Sequence, residues 1–190
     1  MSRNYKFHNP EGLYFVSFAV VEWLDVFTRN KYKDILLQSL SYCQKEKGME
    51  IIAWCIMTNH VHLQLETKDV EIWHIMRNIN LLYTKYFNNK HKLVGHLFQG
   101  RYKSELIEND NYNLETSRYI HLNPVRANMK KTPIEYLWSS YDIYMGHRES
   151  DLVDENKILS YFKNNSRELY KEYVESKILG LELSDDLEVE

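Results

Sequence analysis

The chain has 190 residues, 44% of them hydrophobic and 27% charged, which suits one globular domain with a real core and excludes a disordered or fibrous polymer. Its formal net charge of −3 speaks against a polyanionic partner until the charge is located. Residues 1–150 carry 19 Lys and Arg against 16 Asp and Glu, residues 151–190 carry 5 against 11, and the window 77–131 carries 10 against 4. That window also holds Tyr83, Tyr86, Phe87, Phe98, Tyr102, Tyr112 and Tyr119. Cations interleaved with aromatics offer phosphate contacts and stacking platforms together, although a solvated helix face over core aromatics has the same composition. Cys43 and Cys55 lie in apolar patterns, as free thiols of a reducing compartment do. Met1–Pro10 is polar and predicts no leader, Leu13–Val21 is too short to cross a bilayer, and the expected setting is the cytoplasm without a membrane.

In chain order, the β-branched and aromatic run Leu13–Val21 predicts a first strand. Thr28 can cap a helix to about Lys47, with Tyr32, Ile35, Leu36, Leu40 and Cys43 on one stripe and Gly48 as its stop. Glu50–Met57 and His60–Glu66 predict two strands joined tightly at Thr58–Asn59. Asp69 can cap a second helix through Ile72, Ile75, Met76, Ile79, Leu82, Tyr83 and Tyr86, followed by a polar turn at Asn88–Gly95. A fourth strand is expected near Arg101–Ile107. The order β-α-β-β-α-β predicts a four-stranded antiparallel sheet with two helices on one face, an α+β ferredoxin-like fold. Asp110 then caps a helix from about Asn111 to Leu122, which Pro124 should end at Asn123. Short helices are expected at Ser139–Tyr144 and Asn156–Phe162, and an amphipathic one at Arg167–Leu179 with Gly180 as its stop. Residues 181–190 should fray. The expected division is a main domain over 1–150 and an acidic helical extension over 151–190.

The chemistry lies in two short stretches. His60-Val-His-Leu-Gln64 sets two imidazoles on one face of an apolar strand, because strand side chains alternate with period two, and both can reach one metal ion. Tyr119-Ile-His-Leu-Asn123 sets a phenol and a side-chain amide one turn apart on a helix. Together they form a kit for metal-assisted attack by tyrosine on a phosphodiester, with the metal drawing off charge at phosphorus. Each piece has a plainer reading: two packed histidines, a core tyrosine, a helix C-cap at Asn123. Tyr112 is the nearest rival nucleophile.

Four blocks then stand in one order: Asn59-His-Val-His62, Gly95-His-Leu-Phe-Gln-Gly-Arg-Tyr-Lys-Ser104, Arg118-Tyr-Ile-His-Leu-Asn-Pro-Val-Arg-Ala127 and Trp138-Ser-Ser-Tyr141. Across about residues 10–145 the chain resembles the single-tyrosine transposases of the His-hydrophobic-His superfamily, IS200-like, and among them the REP-associated tyrosine transposases. Thr58 stands where many relatives have proline. The resemblance implies single-stranded DNA with hairpin structure as substrate and Mg2+ or Mn2+ as cofactor. It implies His60, His62 and Asn123 as metal ligands and Tyr119 as nucleophile, forming a 5′-phosphotyrosine and releasing a 3′-hydroxyl. It leaves open a monomer acting in cis or a homodimer exchanging the tyrosine helix.

The expected function is therefore a DNA nicking and strand-transfer enzyme. The alternatives are a domesticated hairpin-binding protein that no longer cuts, and a phosphoesterase that uses water. Arg101, Lys103, Arg118 and Arg126, with Lys85 beside them, are the densest cations around the site and are expected on DNA phosphates. Opposite charge suggests that the acidic segment covers the basic surface; packing on the far side of the domain is the equal alternative.

Overall fold

The computed structural model describes residues 11–178. Four strands, β1 (Leu13–Ala19), β2 (Met49–Ile56), β3 (His60–Thr67) and β4 (Lys103–Leu106), form one antiparallel sheet in the order β2-β3-β1-β4. Helices α1 (Asn30–Lys47) and α2 (Ile72–His91) lie on one face. Tyr14, Val16 and Phe18 of β1 and Val61, Leu63 and Leu65 of β3 meet Leu36, Leu40, Ile75, Met76, Ile79 and Tyr83 there, every one buried. Strand alternation then turns Phe15, Ser17, His62 and Gln64 to the opposite face. Helix α3 (Asp110–Arg126) covers that face, with Ile120 packed among Ala53, Cys55 and Met57. The expected ferredoxin-like α+β fold is the observed one.

Some boundaries differ from expectation for local reasons. Gly48 ends α1 in the left-handed conformation, φ 63°, as predicted. The caps fall elsewhere: α1 starts after Arg29, α2 after Glu71, and α3 after Asn109, whose side chain accepts from the Tyr112 N–H at 2.9 Å. Helix α3 does not stop at Asn123 but carries Pro124 and runs to Arg126. Proline removes only the bond to Ile120. The Ala127 N–H still reaches the Asn123 carbonyl at 3.0 Å, and burial of Leu122, Pro124 and Val125 holds the last turn.

The sheet edge at β2 is closed by residues 138–140. The Ile56 N–H donates to the Trp138 carbonyl at 2.9 Å, the Ser140 N–H to the Trp54 carbonyl at 2.9 Å, and the Trp54 N–H to Ser140 Oγ at 2.9 Å. That is the structural task of the Trp138-Ser-Ser-Tyr141 block, since an open edge offers unpaired backbone to other chains. A bulge at Ile52 frees two further carbonyls: Tyr144 Oη donates to Ile52 and the Asp154 N–H to Ile51.

Beyond 150 the chain forms α5 (Asn156–Leu159) and α6 (Arg167–Glu175), after a single turn α4 (Tyr141–Tyr144). Val153, Ile158, Leu159, Tyr170 and Val174 are buried in the same core cluster as the strands. Leu179, the Gly180 stop and residues 181–190 lie outside the described residues.

Candidate active site

The site grows from β3, a central strand with β2 and β1 on either side. His62 faces α3 and is 6% exposed; His60, one step out along the same face, is half-buried. Their rings are 4.8 Å apart and nearly perpendicular. Tyr119 reaches the same point from α3, its ring 5.6 Å from His62, and is 38% exposed. Phe15 of β1 closes the group, stacked on His62 at 5.7 Å and edge-on to Tyr119 at 5.7 Å. The two stretches, more than fifty residues apart in sequence, thus meet because alternation sends His60 and His62 to the face on which α3 lies.

Helix α3 is pinned there by buried polar contacts. Gln64 Nε2 donates to the Asn113 backbone carbonyl at 3.0 Å and to its side-chain oxygen. His121, wholly buried, joins Tyr170 Oη at 2.7 Å on one nitrogen and Ser140 Oγ at 2.8 Å on the other. Its pKa falls to about 3 through burial, so it is a neutral strut. A buried network satisfied at both nitrogens defines one position for the helix that carries Tyr119 and Asn123.

Asn59 sets the state of His60. Asn59 Nδ2 donates to the Trp23 carbonyl at 3.1 Å, which turns its Oδ1 toward His60 Nδ1 at 2.8 Å. With the proton on Nδ1, the His60 Nε2 lone pair is available to a ligand. Trp23 stands edge-on to His60 at 5.8 Å and is held at φ 55°, beside Glu22 at φ 53°. Two adjacent left-handed residues without glycine are uncommon and concentrate where function over-determines the backbone.

The donor set fits a hard divalent ion. Both nitrogens of His62 are buried, with no partner beyond the nearby Asn123 side chain, a costly state that a bound cation would relieve. Burial, then the neighbouring His60, depresses the His62 pKa to about 3, with Asn123 opposing; burial lowers that of His60 too. Both imidazoles are thus neutral at physiological pH, the state that metal ligation requires. Asn123 Nδ2 donates to the Tyr119 carbonyl at 3.2 Å, which leaves its Oδ1 as third donor. Among the described residues no group of three His, Cys, Asp or Glu gathers as an alternative.

The expected cations separate into groups. Arg126 lies over the Tyr119 ring at 5.3 Å. Lys103 is exposed on the sheet face of His62, across from Ser17, and Arg101 is exposed just before it. Lys85 is exposed on α2, on the other side of the sheet. Arg118 is 8% exposed, paired with Glu115 and stacked on Tyr173 at 4.2 Å. The structure thus commits its guanidinium to joining α3 and α6. Tyr112 donates to Glu105 Oε2 at 2.6 Å and, through burial and that carboxylate, its pKa is pushed up to about 12. Both effects disfavour it as a nucleophile beside Tyr119. A cavity of about 550 Å³ runs along the Tyr112–Tyr119–Arg126 side of α3, floored by Phe15.

Sequence reading missed Phe15, Trp23 and the orienting part of Asn59. Phe15 had a usable signal: it sits at an outward position of an alternating strand, where a polar residue is the norm.

No helix among the described residues is long and apolar enough to cross a membrane. A REP-associated tyrosine transposase solved bound to a REP hairpin has a similar fold, with TM-score 0.69 and 17% identity over 81% of this chain and 94% of that one. A putative transposase of Deinococcus radiodurans is 18% identical over 63% of this chain and 94% of its own, with TM-score 0.43. No curated protein matches the chain. The family model for IS200-like transposases matches residues 18–123, a span that includes both histidines and runs through Tyr119 to Asn123. With more than half of its length matched, the chain belongs to the IS200-like transposase family.

Proposed function

We propose that the protein is a metal-dependent nicking and strand-transfer enzyme for single-stranded DNA at hairpins, with Tyr119 as nucleophile and His60, His62 and Asn123 as metal ligands. The observation that carries this reading is the single cluster of His60, His62, Phe15 and Tyr119 rings, partly open to solvent. Tyr119 Oη attacks phosphorus, the bond to the 3′ oxygen breaks, and a 5′-phosphotyrosine remains while the released 3′ oxygen gains a proton. The phenol proton passes to solvent. Phe15 and His62 hold the ring edge-on, and Arg126 over its face brings positive charge to the ring that loses its proton. Held by His60, His62 and Asn123, a divalent ion, Mg2+ or Mn2+, would supply charge neutralisation to the phosphoryl group. Residues 1–150 carry this chemistry, and the described part of the acidic extension 151–190 braces α3 through Tyr170 and Tyr173. The fold shared with a hairpin-bound relative supports a hairpin substrate.

The test is covalent trapping. A labelled hairpin from the flanks of the encoding gene, incubated with protein and Mg2+ or Mn2+, should stay attached to denatured protein, and chelation should abolish the adduct. A protein that binds the hairpin yet never forms it is a binder, not a transposase. His62→Ala should lose cleavage and keep hairpin binding; cutting at the native rate would remove the metal assignment.

One chain supplies Tyr119 and both histidines here, which supports action in cis by a monomer. Mixing Tyr119→Phe with His62→Ala protein should then leave cleavage absent, whereas recovery would mean exchange of the tyrosine helix between subunits.

Arg101, Lys103 and Arg126 are the proposed phosphate contacts, with Lys85 on a separate surface. For Arg101→Ala and Lys103→Ala the slope of log affinity against log salt should fall by about 0.7 to 0.9 each. Unchanged slopes in both would return them to ordinary surface residues.

A further inference from the structure

A second cavity, of about 390 Å³, opens where α2 begins and the chain enters β4, lined by Trp73, Arg77, Asn80, Gly100, Arg101 and Tyr102. Trp73 is 47% exposed, and its indole N–H is tied to Glu71, so the ring is held in orientation rather than buried. Arg77 follows one helical turn later, on the same face of α2. Neither Arg77 nor Arg101 has an ion pair or hydrogen bond among the described residues, while Lys157, Arg148 and Arg167 are all paired with carboxylates. Asn80 Oδ1, in the cavity wall, is buried and has no hydrogen-bond partner.

We propose that this cavity binds one unstacked nucleotide of the DNA strand, apart from the cleavage site. The inference rests on the DNA-processing reading above. Trp73, with Tyr102, offers a face to a base, and only a base outside a helical stack can present its own face in return. Arg77 and Arg101 offer two unpaired guanidiniums to its phosphate. Asn80 Oδ1 lacks a donor, which the exocyclic amine of adenine, guanine or cytosine or the ring N–H of thymine can provide.

Position agrees with a single strand that spans both sites. Lys103 lies two strands across from His62, about 10 Å at ordinary strand spacing, and Arg101 is about 7 Å further along the chain. Because α2 lies on the face opposite His62, the cavity sits round the β4 edge of the sheet, and an unpaired strand leaving the cleaved phosphate reaches it by passing Lys103 and then Arg101 over that edge.

The experiment is a cycle between protein and DNA, read as affinity by fluorescence anisotropy on the full chain. The probes are labelled hairpins with single-stranded flanks, each carrying one abasic position. Trp73→Ala should weaken binding of the intact probe about tenfold or more, the scale of one stacked base. Trp73→Phe should restore most of it. At one flank position the abasic penalty should be present with native protein and absent with Trp73→Ala. Arg77→Ala should lower the salt slope by about 0.7. Unchanged affinity in Trp73→Ala, or abasic penalties identical in both proteins at every position, would overturn the proposal while leaving cleavage at Tyr119 untouched. A native protein without affinity for any hairpin would instead remove the reading on which it rests.

Discussion

Tyr119→Phe should reduce cleavage of a hairpin substrate by roughly 10⁴-fold or more, the scale on which loss of a nucleophile acts, with hairpin affinity nearly unchanged. The ring contacts to His62 and Phe15 and the guanidinium of Arg126 need only the aromatic body, so phenylalanine keeps the packing and removes the phenol oxygen alone. Tyr112→Phe is the matched control. Its hydroxyl is engaged with Glu105, so that substitution should change cleavage little. Single-turnover rates on a labelled hairpin with saturating protein decide the point. Near-native cutting by Tyr119→Phe, with no adduct from either protein, would point to water as the attacking group.

Removing residues 151–190 should abolish cooperative folding rather than release a DNA-binding surface. Val153, Ile158, Leu159, Tyr170 and Val174 lie in the main core, and each buried side chain of this size contributes about 1.5–3 kcal/mol. Five of them rival the whole stability of a typical domain, about 5–15 kcal/mol. Thermal unfolding of a 1–150 chain, followed by circular dichroism, should show no sharp transition; a native-like one would show that the segment is dispensable. Tyr170→Phe is the finer version. It keeps the ring but strips the hydroxyl from His121 and Ser117, costing about 1–3 kcal/mol and lowering Tm by several degrees. The described part of the acidic segment therefore acts from beneath α3, through Tyr170 on His121 and Tyr173 on Arg118, rather than as a screen laid over basic groups.

Much of this protein is legible in one dimension because its signals are local. Period-two alternation in His60–Gln64 decides which face carries the imidazoles, and the spacing from Tyr119 to Asn123 decides that phenol and amide share a helical turn. The order of apolar runs suffices for β-α-β-β-α-β, since few topologies accommodate it. Tertiary structure decided what depends on neighbours remote in sequence. Pro124 remains helical because burial around it outweighs one missing hydrogen bond. Arg118 has the charge of a DNA contact, yet Glu115 and Tyr173 engage it, and a charge pattern along a chain does not show where each guanidinium turns. Asn59 orients His60 only because the Trp23 carbonyl fixes its amide. Tyr170, 51 residues beyond Tyr119, reads as one more aromatic on an amphipathic stripe; only the folded chain brings its hydroxyl to His121, where it sets the helix that carries Tyr119.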